Sequence, residues 1–139
     1  MKKRTLLIFI IVSTLILTVG CSKAPPEISD EALQGSTDII KTNPEIMDPE
    51  IVVEDDLLKF YMVPTEGEGA SKERLRQIGV DYLKLLGGYV VGDELTAPTE
   101  ESYGGLYDFY DVEIIFEGDR GTIIDRGTKA KGENEIKWE

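Results

Sequence analysis

Histidine is absent from this chain, and cysteine occurs once, at position 21. Without an imidazole there is no histidine general base, no serine or cysteine nucleophile paired with one, and no zinc site of the Cys/His type. A lone cysteine also rules out an intramolecular disulfide, so any fold must rest on its apolar core. Positive charge is scarce as well: 15 Lys and Arg stand against 27 Asp and Glu, for a net charge of −12. Such a chain is repelled by nucleic acid and by anionic lipid surfaces, and is attracted to cations and basic partners. At 139 residues it has no room for the two α/β lobes of a solute-binding protein. After residue 21 there is no Ser-x-x-Lys spacing, and neither Glu54-Asp55-Asp56 nor Asp119 opens an EF-hand loop.

What is present begins with a basic run, Met1-Lys2-Lys3-Arg4-Thr5, followed by an apolar run from Leu6 to Val19 broken only by Ser13 and Thr18. A basic start joined to an apolar stretch shorter than the roughly 20 residues of a bilayer span has the form of a secretory signal peptide. The end of that stretch, Leu17-Thr18-Val19-Gly20-Cys21, resembles the lipobox of bacterial lipoproteins, with Thr18 where leucine is more usual. The resemblance covers the export segment alone. It implies that residues 1–20 are removed, that Cys21 is lipidated, and that the chain sits on the extracytoplasmic face of a membrane. Burial of acyl chains contributes about 0.8 kcal/mol per CH₂, so the two or three chains implied by the family hold the protein durably without any protein contact. Loss of Lys2, Lys3 and Arg4 takes the net charge from −12 to −15.

Residues 22–56 contain Pro25, Pro26, Pro44 and Pro49 and ten acids against Lys23 and Lys41. Large apolar side chains are few, which points to a disordered acidic linker that cannot offset the entropy of ordering. As a coil of 35 residues it would span about 30–35 Å. Ile39-Ile40 and Ile51-Val52-Val53 stand out as candidate docking strands.

A folded domain is expected over residues 57–139. Leu58, Phe60 and Met62 alternate as in a strand, with a helix starting at Asp48-Pro49 as the rival reading. Ser71 offers an N-cap, and Leu75, Ile78, Tyr82, Leu85 and Leu86 recur at helical spacing until Gly87-Gly88. Tyr89-Val90-Val91 suggests a brief strand, and residues 92–105 a long loop. Tyr110, Val112, Ile114 and Phe116 then alternate with Asp111, Glu113 and Glu117, the pattern of a half-buried antiparallel strand. Two further strands follow over Thr122–Arg126 and Glu135–Trp138. In the first hairpin, a two-residue loop sets Glu113 beside Arg126 and turns Asp125 inward beside Ile114. A three-residue loop pairs Ile114 with Ile124 and is preferred, because an unpaired inward Asp is expensive. The whole reads as an α+β domain: one amphipathic helix on a small antiparallel sheet, with an outline similar to cystatin-like and NTF2-like domains in element order only.

Two constellations carry candidate chemistry. Tyr103, Tyr107 and Phe109, beside Gly104-Gly105, make the densest aromatic cluster, suited to stacking on a glycan or anchoring a protein if exposed. Asp111, Glu113 and Asp125 are candidate oxygen ligands for Ca²⁺. The expected function is a non-catalytic interaction or accessory role of a lipoprotein at the cell envelope, with an envelope protein or wall component as partner and no cofactor. A module binding Ca²⁺, a glycan or a peptide is the first alternative. A small cell-wall hydrolase, which needs two facing carboxylates with one desolvated, is the second.

Overall fold

The computed structural model describes residues 23–67, 69–92 and 94–139. The signal peptide expected over residues 1–20 and the lipidation expected at Cys21 lie outside the described residues. Within them the chain forms helix α1 (Asp30–Lys41), strands β1 (Ile46–Glu54) and β2 (Leu57–Pro64), helix α2 (Lys72–Tyr89), and strands β3 (Asp111–Glu117), β4 (Ile123–Lys129) and β5 (Lys137–Trp138). The strands make one sheet in chain order. All neighbours are antiparallel except β2 and β3, whose parallel pairing requires the long crossover through α2. The α+β class thus holds, with two helices rather than one and a mixed rather than antiparallel sheet.

The expected linker over 22–56 is largely folded. Helix α1 starts on Ser29, whose hydroxyl accepts from the Ala32 amide at 3.2 Å, with Asp30 and Glu31 in the first turn and Lys41 in the last, matching the helix dipole. Its buried stripe is Ala32, Ser36 and Ile40. The buried Ser36 hydroxyl is satisfied by donating to the Ala32 carbonyl at 2.8 Å. Small residues let the helix approach α2 closely: a Cβ added at Gly35 would lie 2.7 Å from the Tyr89 ring. Strand β1 contains the suspected Ile51-Val52-Val53, and Asp48-Pro49 is a bulge between Met47 and Glu50, with Asp48 at φ 47°, not a helix start.

The core lies between the helices and one face of the sheet. Leu58, Phe60 and Met62 of β2 and Val112, Ile114 and Phe116 of β3 are paired residue by residue and buried. Leu75, Ile78, Tyr82, Leu83 and Leu86 of α2 cover them. The Tyr82 ring meets Phe60 edge-on at 5.1 Å, and its hydroxyl is hydrogen-bonded to Thr37 of α1 at 2.7 Å. Burial pushes the Tyr82 hydroxyl up to about 12. Ser71 caps α2 through the Arg74 amide as expected, but the helix runs through Gly87-Gly88 to Tyr89 instead of yielding to a strand. Gly87 is required because a Cβ there would come 2.7 Å from the Tyr103 carbonyl.

Neither expected hairpin register is observed. Phe116 faces Asp125 and Ile114 faces Gly127, with the turn Gly118–Thr122 left to Arg120 and Gly121 at φ 61° and 74°. Asp125 points inward, yet it is not unpaired: Arg76 of α2 grips it through two hydrogen bonds at 2.8 and 3.3 Å, and the Lys72 ammonium lies 3.8 Å away. That partner comes from a distant element, which removes the cost that favours the other register. Glu113 does meet Arg126, as a diagonal ion pair of 2.9 Å on the outer face. Ile123 and Ile124 are left exposed.

Candidate functional site

Tyr103, Tyr107 and Phe109 do not form a surface. The short 3₁₀ turn Gly105–Asp108 carries Tyr107 into the interior, where its hydroxyl donates to the Leu83 carbonyl at 2.5 Å. Burial raises that hydroxyl well above its ordinary value. Tyr103 and Phe109 are half-buried against the same core. A glycine-rich aromatic stretch signals either a binding patch or a loop folded back on itself, and here the loop from residue 92 is clamped by the Gly105 amide donating to the Thr96 carbonyl at 2.9 Å.

Nor are Asp111, Glu113 and Asp125 brought together. Asp125 lies on the helix-covered face of the sheet and the other two on the open face. Each also holds a resident donor: Asp111 accepts from the Lys131 amide at 2.9 Å, Glu113 pairs with Arg126, and Asp125 pairs with Arg76. Burial alone would raise the Asp125 carboxyl, but the Arg76 hydrogen bonds and charge, helped by Lys72, overcome it and hold the group below the usual carboxylate range. Among the described residues no three Asp or Glu side chains are grouped to hold a metal ion. Asp125, the one buried acid among the described residues, therefore faces an arginine, not a second acid.

Next to Asp111, the Lys129 ammonium is buried, donating to the carbonyls of Tyr107 and Ala130 at 3.1 Å each and lying 5.5 Å from the Tyr107 ring centre. Burial lowers it, partly offset by Asp108, Asp111 and Glu133. The outer side of this corner is closed by an ion pair between Lys131 and Asp56. Such an arrangement locks the turn after β4 to the start of β3, a structural use of charge.

An open groove of about 650 Å³, lined mostly by apolar surface, lies between α1 and α2. Ile39 and Ile40 supply one wall and the floor, and Leu85, Gly88 and Tyr89 the other wall, with Asn43, Asp81 and Lys84 at the rim. Ile39 and Tyr89 are 44% and 45% exposed and line the same groove. Gly35 of α1 sits under the Tyr89 ring at one side of the groove, and in the last turn of α1 Ile40 is buried while Ile39 faces outward. Gly88 lines it with nothing within 4 Å of an added Cβ. Its volume and apolar walls with a polar rim are those of a site for a large apolar side chain or a short amphipathic segment. Of its residues, the Ile39-Ile40 pair and Leu85 of the helical stripe stand out along the sequence. Gly88 reads as a helix end and Tyr89 as the start of a brief strand.

Among the described residues no helix is long and apolar enough to cross a membrane. The chain matches no family model, no curated protein and no solved structure.

Proposed function

We propose that this chain is a lipid-anchored extracytoplasmic lipoprotein with a non-catalytic interaction role, docking a partner at the cell envelope through the groove between α1 and α2. The observation that carries the docking half is the open apolar groove walled by Ile39, Leu85 and Tyr89. Supporting the anchoring half are the basic start, the apolar run and the Gly20-Cys21 junction. The partner that suits the groove presents a large apolar side chain flanked by basic residues, since a mature chain of net charge −15, from −12 less the three cations of the export segment, attracts positive charge.

Two measurements test the two halves separately. Cys21→Ala is expected to leave an unprocessed precursor and to shift the chain out of the lipid-modified pool. Normal cleavage with unchanged detergent partition sinks the anchor. For the groove, a photo-crosslinking side chain at Tyr89 is expected to capture a discrete envelope protein in living cells, where one at Thr128 on the open sheet face does not. Gly88→Phe, which fills the groove without meeting other atoms at its Cβ, is expected to abolish that product while the thermal unfolding curve stays put. Equal capture from Tyr89 and Thr128, or a product insensitive to Gly88→Phe, removes the groove from the function.

A further inference from the structure

The segment in front of α1 is strapped to the domain rather than free. The Pro26 carbonyl accepts a hydrogen bond from the Tyr110 hydroxyl at 2.8 Å, and Ile28 packs against the core. Lys23 and Pro26 line one hollow together with Val90, Glu94, Leu95 and Phe109. The Lys23 ammonium also lies 3.8 Å from the Glu94 carboxylate. Pro26 is therefore held at one end of the molecule, the end where α2 terminates and β3 begins, and Lys23 lies against the same hollow.

Lys23 is two positions from Cys21, with one residue between them. A fully extended chain covers at most about 3.3–3.6 Å per residue, so the Cα atoms of Lys23 and Cys21 are within about 7 Å. The headgroup layer on each side of the hydrocarbon is about 5–8 Å deep. We infer that the end of the domain formed by Lys23, Val90, Val91, Glu94 and Phe109 rests against the headgroups of the bilayer that holds its own lipid anchor, with the opposite end, the turn Asp119–Gly121, pointing away. The inference rests on the proposed lipidation of Cys21. It replaces a stand-off of tens of ångströms with direct apposition.

The surface is consistent with that position. Val91 is 39% exposed at this end, an apolar side chain at home at an interface. Charge does not favour the apposition, because Lys23 is offset by Glu94 and an acidic chain is repelled by anionic lipid. The orientation is accordingly a property of the short leash and holds on zwitterionic lipid as well. Strand β3, of 7 residues, carries the chain about 23 Å from this end to the far turn.

The test uses the full chain produced and processed in bacterial membranes, ¹⁵N-labelled, and reconstituted into phosphatidylcholine nanodiscs doped with a gadolinium-chelate lipid. Paramagnetic relaxation is expected to be roughly tenfold or more greater at the Val91 and Gly92 amides than at Gly121 and Gly67, given about 23 Å of intervening strand. A flexible Gly/Ser insertion of about ten residues after position 22, which leaves every described contact in place, is expected to level that difference. Mass analysis of the N-terminal peptide reports the anchor itself. An acylated chain relaxed equally at both ends overturns the orientation and leaves the anchor standing. A chain that carries no acyl group overturns both, and a bias that survives the insertion overturns the leash as its cause.

Discussion

The two helices are built to the same plan at their ends and to opposite plans along their faces. Both begin on a serine whose hydroxyl accepts from the backbone three residues on, at 3.2 Å in each case. Helix α2 then buries Leu75, Ile78, Tyr82, Leu83 and Leu86, whereas α1 buries Ala32, Ser36 and Ile40. A large apolar stripe supplies its own reason to dock, through roughly 1.5–3 kcal/mol per side chain. A stripe of small residues gains from close approach instead, and is worth something only when a preformed surface awaits it. The difference teaches that α1 is a follower: the α2–sheet unit is its template, and the groove beside Ile39 is a part of the template it leaves uncovered.

The sharpest way to break that comparison is to truncate the template. Leu86→Ala, at a fully buried position, is expected to lower unfolding free energy by about 3 kcal/mol or more in a urea titration. Ile40→Ala in α1 is expected to cost less, because the site sits beside an open groove and can relax. Equal costs would mean that α1 is as integral to the core as α2.

A second prediction concerns the charge that ties α2 to β4. Asp125→Asn is expected to lower the midpoint of thermal unfolding by several degrees near neutral pH. Because the folded carboxyl lies below its ordinary value of 3.8, its contribution is fully present above that value and is lost as pH falls through the folded value. The native and Asp125→Asn curves should therefore converge in strong acid, and a difference that persists there would assign the effect to packing. Helix α1 has no equivalent tie to the sheet among the described residues, its Gln34–Asp38 contact being local.

Glycine positions sharpen the contrast further. A Cβ at Gly79 of α2 would lie 2.9 Å from Ile114 in the closed core, so Gly79→Ala is expected to destabilise by about 1–2 kcal/mol despite the helix-propensity gain. At Gly35 of α1 the obstacle is the exposed Tyr89 ring, free to swing into the groove. Gly35→Ala is thus expected to fall within about 0.5 kcal/mol of neutral, since the gain in propensity of about 1 kcal/mol offsets the displacement. Matching losses at the two sites would show Tyr89 to be held as firmly as the core. Smallest is the expected difference between the caps: Ser29→Ala and Ser71→Ala should each cost about 1 kcal/mol, within error of each other. A much smaller loss at Ser29 would show α1 to fray independently of its docked middle.

How much is legible along the chain follows from the same contrast. The Ser71 cap, the stripe of α2 and the alternation of β3 are local patterns of size and polarity, and they appear where expected, except that Leu83 takes the core place expected of Leu85, which is half-buried at the groove. The segment 22–56 misleads because Ala32, Ser36 and Gly35 are not apolar enough to mark a buried face, and ten acids dominate its composition. Asp125 misleads because its partner, Arg76, lies 49 positions away on another element. The aromatic cluster misleads because a run of Tyr and Gly has the same composition whether it faces solvent or folds inward.

By itself, then, the amino-acid order determines the chemistries that are unavailable, the capped amphipathic helix α2, and the half-buried strand β3, all of which depend on residue type or on neighbours a few positions apart. Only the tertiary structure decides that the acidic N-terminal segment becomes a helix and an edge strand, that Asp125 turns inward and Tyr107 disappears into the core, and that Ile39 and Tyr89 wall an open groove. Each of those outcomes is settled by a surface contributed from elsewhere in the chain, and a one-dimensional pattern carries no record of which surface will be waiting.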